Sequence, residues 1–327
     1  MNPGHLMARE IAEQPDVWRR FLREGSDQIA VAKARIADYS PRFVQFVARG
    51  TSDHAALYAK YLVEIHHQLP AGLVSPSSTT VYGARPKLED VLYVAVSQSG
   101  GSPDLVKSVS VAREQGALTV AVTNNPDSAL AEAAQLHIDV LAGPELSVAA
   151  TKTYTAELLA LYELFVGGGT ADLPAFGEQV LANDEAVVTA AQRYRFAQRL
   201  ITTARGYSYP TAREAALKLM ETSYLSAQAF SGADLLHGPL ATVDPQVPVI
   251  AIVPNNVGGH AMAPVLQRLE ERHADILRVG AKLPNVADSL SPLLEILPLQ
   301  QLALHLALAR GGNPDEPRGL FKVTETL

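Results

Sequence analysis

"VAVSQSGGSPDLV", residues 94–106, is the stretch whose reading decides the fold. An apolar run breaks into Ser97-Gln98-Ser99-Gly100-Gly101-Ser102, and Asp104 then leads into a second apolar stretch. Val91–Val96 reads as a buried strand, "SQSGGSPD" as a turn, Leu105–Gln115 as a helix, and "LTVAVTN" at 118–124 as the next strand. The same order occurs upstream. Phe43–Arg49 is a short β-prone run, Gly50-Thr51-Ser52 a turn, and "DHAALYAKYLVEI" a helix with Ala56, Tyr58-Ala59 and Leu62-Val63 at helical spacing. Strands alternating with helices imply βαβ units, a parallel sheet and a doubly wound α/β layer. Ligands in such sheets bind beyond the carboxyl ends of the strands, where both hydroxyl-rich turns fall.

A turn that enters a helix presents unpaired backbone N–H groups and the positive end of the helix dipole. Serine and threonine hydroxyls add donors, and glycine lets the backbone approach a guest closely. The turn suits a phosphate. Neither a G-x-x-x-x-G-K-[ST] loop nor a G-x-G-x-x-G after a strand occurs, so a small phosphorylated metabolite is expected rather than a nucleotide. Helix capping alone would explain Ser97, Ser99 and Ser102 in a single turn. Two such turns, "GTS" and "SQSGGS", favour binding.

Composition narrows the class further. The 327 residues are long enough for two ordinary domains, and a hydrophobic fraction of 47% argues against disorder. A formal charge of −7 with scattered Lys and Arg offers no basic face, so no nucleic-acid partner is expected. No apolar segment reaches the roughly 20 residues of a membrane span, and the N-terminus lacks the order of a signal peptide. A cytoplasmic protein without a membrane partner is expected. There is no cysteine, hence no disulfide, thiolate nucleophile or thiolate metal site.

"ARG-T-S" at 48–52 recurs as "ARG-Y-S" at 204–208, and "VLYVAVSQSG" in the first half corresponds to "VPVIAIVPNN" in the second. The chain therefore reads as two copies of one α/β unit. Pro254-Asn255-Asn256 replace Ser97-Gln98-Ser99, so only the first copy keeps the phosphate-type loop. The expected organisation is a helical leader at 1–40, a first domain at 41–166, a connection at 167–196 with a helix near Asp184–Gln198, a second domain at 197–315, and a tail at 316–327.

Six motifs in order carry a resemblance over nearly the whole chain. They are "EIAEQP" at 10–15, "GTSDHAALYAKYLVE" at 50–64, "SQSGGSPD" at 97–104, "AGPELSVAATKTYTAEL" at 142–158, "ALKLMETSYLSAQAFSGADLLHGPLA" at 216–241 and "DEPRGLFKVT" at 315–324. The chain resembles the double sugar-isomerase (SIS) domain proteins, especially the isomerase half of the glucosamine-6-phosphate synthases. That resemblance implies two tandem SIS domains, each a parallel sheet flanked by helices on both faces. It implies a phosphate cradle of Ser52, Ser97, Gln98, Ser99 and Ser102 with Thr51 beside it, and a sugar facing Val148 and Ala150. Glu221 would move a proton between sugar carbons 1 and 2, His237 would assist ring opening across a homodimer interface, and Lys218 and Lys322 would stay close to the substrate.

Aldose–ketose conversion needs one base that can visit adjacent carbons, and a carboxylate beside cations serves this. Lys218 and Glu221, three residues apart, share a helix face. Taken singly, a surface ion pair, a core histidine and a frayed tail would explain Lys218 with Glu221, His237 and Lys322; together with the motifs, the functional reading is favoured. Arg49 and Arg205 stand at matching places and read as structural. His54 could reach a substrate or pack, and Glu145 and Lys152 flank the "SVAAT" loop as secondary candidates. His66, His67 and His260 show no ligand spacing, so neither metal nor cofactor is expected.

The synthases carry a glutaminase domain with a cysteine nucleophile, and this sequence has none. Free ammonia is scarce near neutral pH, so the expected direction is deamination: glucosamine 6-phosphate to fructose 6-phosphate and ammonia. Hexose-phosphate isomerisation, deglycation of a phosphorylated fructosamine, or non-catalytic sensing of a sugar phosphate are the alternatives. A sensor needs the cradle without the base, and Glu221, His237 and Lys322 together favour an enzyme.

Overall fold

The computed structural model describes residues 2–320 and Lys322. Of the expected tail at 316–327, residues 321 and 323–327 lie outside the described residues. The chain folds into two compact units. The first unit holds residues 16–145 and 152–171 with Lys322, and the second holds the chain up to Pro15, residues 146–151 and residues 172–320.

The leader is three helices, α1 (His5–Ala12), α2 (Gln14–Glu24) and α3 (Ser26–Tyr39). The first unit continues with β1 (Phe43–Val47), α4 (Gly50–Leu62), β2 (Ala71–Leu73), α5 (Pro76–Thr80) and β3 (Val91–Ser97). Then come α6 (Pro103–Glu114), β4 (Leu118–Thr123), α7 (Ala129–Ala133), β5 (Leu136–Asp139) and α8 (Lys152–Phe165). All strands pair in parallel in the order β2-β1-β3-β4-β5, with Val44 opposite Leu92 and Val94 opposite Val120. Every residue of β3 is buried, which is why it reads as one unbroken apolar run: a strand covered by helices on both faces has no polar side. Trp18 is buried on α2 and donates its indole N–H to Thr155 of α8 at 3.1 Å, fastening the leader to that helix.

The expected turn at Gly50-Thr51-Ser52 is itself the first turn of α4, and β1 ends at Val47. Gly50, at φ +54°, makes the sharp entry that lets the helix begin so early. The expected connection at 167–196 contains two helices, α9 (Leu173–Leu181) and α10 (Glu185–Tyr194), separated at Asn183-Asp184.

The second unit repeats the pattern. Its elements are β6 (Arg199–Ala204), α11 (Tyr209–Ser223), β7 (Ser226–Ser231), α12 (Gly232–Leu236), β8 (Pro248–Ile252), α13 (Val257–His260), α14 (Ala263–Glu270), β9 (Asp275–Val279) and α15 (Ser291–Ala309). The parallel order β7-β6-β8-β9 matches β2-β1-β3-β4 strand for strand, so the sequence repeat is a repeat of topology. Helix α15 is 19 residues long and apolar enough to cross a membrane by length and composition. It is mostly buried and packs on α11, α10 and α9, as the core helix of this unit.

Candidate active site

In the first sheet, chain order reverses between β1 and β3, so the turns that follow these two strands face each other across the switch point. Ser97 closes β3, and its Oγ accepts the Gly100 N–H at 3.2 Å; the Ser99 Oγ accepts the Gly101 N–H at 3.3 Å. Each hydroxyl proton is left to donate to a guest, since neither has a protein acceptor among the described residues. Ser102 takes the capping position of α6 through its carbonyl alone, which accepts Leu105 and Val106 N–H groups at 3.1 Å. Its hydroxyl makes no capping bond. Capping therefore does not account for these three serines.

Gly100 cannot be replaced here by a residue with a side chain. It sits at φ +63°, and a Cβ would lie 2.2 Å from the Ser128 Oγ. The turn is held from the next loop as well, with Asn124 N–H on the Gln98 carbonyl and Leu130 N–H on the Gly100 carbonyl, both at 3.1 Å. Asp104 places negative charge in the first turn of α6. Arg49 offsets it, donating Nε at 2.8 Å and a terminal nitrogen at 2.7 Å to the Asp104 carboxylate.

Ser52 differs from its expected role in one respect. Its Oγ donates to the buried carboxylate of Glu157 on α8 at 2.8 Å, so in this state its proton is committed to the protein. Thr51 stands beside it, half-buried in the first turn of α4. Glu157 was not singled out by sequence reasoning, because one glutamate in "TYTAELLALYELF" looks like a solvated helix position. Glu145, a secondary candidate, accepts the Thr153 N–H at the start of α8 at 3.1 Å and pairs with Lys322 at 3.1 Å.

In the second unit, α11 presents Glu214, Lys218 and Glu221 on one face. The Lys218 Nζ lies 2.5 Å from Glu221 and 3.3 Å from Glu214. The side chains of Lys218 and Glu214 are 0% exposed and that of Glu221 is 21% exposed. This is no surface ion pair. Burial by itself would push Lys218 down, but the two carboxylates outweigh it and hold the ammonium well above the ordinary lysine value. Glu221 alone of the three can reach solvent or a ligand. Glu214 was legible four residues before Lys218 and was overlooked. His237 ends α12 with an exposed side chain, its backbone N–H on the Asp234 carbonyl. Val148 and Ala150 are half-buried in the loop 146–151, whose backbone is held by Glu10.

The second repeat has filled its own turn. The Asn256 Oδ1 accepts the Gly259 N–H at 2.9 Å, and the Asp288 carboxylate accepts the Val257 N–H at 3.1 Å. A Cβ on Gly259 would lie 1.8 Å from the Pro254 carbonyl oxygen. The Val257 and Gly259 amides of this turn are thus taken by the protein's own side chains. The Ser52–Glu157 pair is repeated, however, since Ser208 donates to the buried Glu295 of α15 at 2.9 Å. Burial pushes the Glu295 carboxyl up to about 7, against the Ser208 hydrogen bond that lowers it. Among the described residues, no cluster of three or more His, Asp or Glu side chains is placed to hold a metal ion.

The repeated parallel sheets and the hydroxyl-rich turn at the first switch point define a doubly wound α/β protein. The chain belongs to the SIS domain family, whose pattern matches residues 39–167 and 194–287. It is 35% identical, over 97% of its length, to the glutamine-fructose-6-phosphate aminotransferase (isomerizing) of Thermococcus kodakarensis, covering 57% of that protein. The chain thus spans a little over half the length of the curated relatives it matches. A Silicibacter pomeroyi protein described as a candidate phosphosugar isomerase superimposes with a TM-score of 0.86 at 34% identity, covering 94% of this chain and 99% of that one. The C-terminal domain of glucosamine-fructose-6-phosphate aminotransferase from Francisella tularensis gives a TM-score of 0.80 at 27% identity, covering 94% and 96%. These relationships place the chain in the SIS domain family, alongside proteins described as phosphosugar isomerases and aminotransferases.

Proposed function

We propose that this protein acts on a hexosamine phosphate, converting glucosamine 6-phosphate and water to fructose 6-phosphate and ammonia. The observation that carries the reading is the carboxylate of Glu221, partly exposed and clamped to a buried lysine. In this reading the turn at Ser97–Ser102 holds the phosphate, and its helix dipole and hydroxyls favour the dianion. Glu221 carries the proton between carbons 1 and 2, as the general base that the chemistry requires. His237 assists ring opening, lent across a homodimer, and Lys322 lies close to the substrate. The sequence contains no cysteine, so these residues do not release ammonia from glutamine through a thiolate.

The test is Glu221→Gln, which keeps the shape but removes the base. Turnover of glucosamine 6-phosphate should fall by roughly 100-fold or more while calorimetric affinity for a non-reactive sugar phosphate persists. An active variant would remove Glu221 as the base. A wild type that binds sugar phosphates and turns over none would make the protein a sensor.

A further inference from the structure

The loop 146–151 contains no helix or strand, yet Ser147, Ala149 and Thr151 are buried in it. What holds it is a carboxylate from far away in the chain. Glu10, 0% exposed on α1, accepts the Leu146 N–H at 2.5 Å and the Ser147 N–H at 3.2 and 3.3 Å on its two oxygens. The other end of the loop is tied to the same helix region. Gln300 donates to the Thr151 carbonyl at 3.2 Å and receives the Gln14 side-chain amide at 2.8 Å. The start of α1 is fixed in turn, because the Asp315 carboxylate accepts the Leu6 and Met7 N–H groups at 3.1 and 2.9 Å and Asn313 accepts that of Gly4 at 3.0 Å.

We propose that Glu10 is a positioning residue: its carboxylate fixes the loop 146–151 in the conformation that receives the sugar, with α1 as the strap that carries it. A buried carboxylate is tolerable only when its oxygens are hydrogen-bonded, and bonds from backbone amides to an ionised acceptor are of the stronger kind. Two adjacent amides bound by one carboxylate fix the orientation of the peptide planes that precede Val148. A glutamine keeps the oxygen that reaches both N–H groups but is uncharged and turns its NH2 toward the Ser147 N–H, so it reproduces the grip only in part. The role in catalysis rests on the phosphosugar reading above; the grip itself does not.

The test uses the full chain with Glu10→Ala and Glu10→Gln. Hydrogen exchange is followed at the Leu146 and Ser147 amides, and KM, kcat and the calorimetric Kd for fructose 6-phosphate are measured. Exchange should accelerate and KM and Kd rise by about tenfold or more, the effect of losing roughly 1.4 kcal/mol, with kcat within about threefold and the Gln variant between wild type and Ala. If the Ala variant fails to fold, the Gln variant carries the comparison. Unchanged exchange would overturn the grip. Accelerated exchange with KM and Kd unmoved, or a fall in kcat alone, would overturn the positioning role. A wild type without affinity for any sugar phosphate would overturn the phosphosugar reading and this role with it, whereas the exchange measurement would still report whether Glu10 holds the loop.

Discussion

Replacing Lys218 with methionine tests the interpretation of α11 most directly. The change keeps an unbranched side chain of similar length but leaves Glu214 and Glu221 around a site emptied of the cation that paired with both. Breaking a fully buried pair by removing one partner costs about 3–5 kcal/mol, because an uncompensated charge stays behind. For a chain of this size that is a fall in thermal midpoint of about 4–7 °C. Denaturant titration of both proteins at pH 7 is the assay. Glu214→Gln combined with Lys218→Met should recover part of the loss, because one buried charge is then removed. A deficit below about 1 kcal/mol, the range of an exposed pair, would refute the buried clamp.

Glu295 gives a pH prediction. Its carboxyl rises from 4.5 to about 7 on folding, so the folded state binds this proton more tightly. The stability it contributes is complete below pH 4.5 and is lost as pH rises through 7, by about 3 kcal/mol at 1.36 kcal/mol per pH unit. Glu295→Gln should abolish this loss, and denaturation curves at pH 5 and pH 8 that keep the wild-type difference would contradict it. If His237 completes the site of a second subunit, activity per chain should fall when the enzyme is diluted until sedimentation shows monomers. A monomer with full specific activity would end that proposal.

The α/β alternation and the hydroxyl-rich turns were legible in the sequence because they rest on local signals. Strand and helix periods show within a dozen residues, and Gly100 advertises a backbone that only glycine adopts. The internal repeat was legible for the same reason, since "ARGTS" and "ARGYS" mark equivalent turns in equivalent strand orders. The spacing of Glu214, Lys218 and Glu221 was present too, but spacing gives a shared face and not its surroundings. Whether that face meets water or the packed interior beneath α15 depends on neighbours distant in the chain.

The amino-acid sequence by itself determined the order of strands and helices, the position of the phosphate-type turn and the family. Only the tertiary structure decided which polar groups meet in the interior. Ser52 finds Glu157 across 105 residues, Glu10 finds the loop at Leu146 across 136, and Asp315 reaches the start of α1 across 308. No local pattern announces such pairs. A buried carboxylate or hydroxyl must find a partner, but the partner is whichever group the packing of whole helices and sheets brings within about 3 Å.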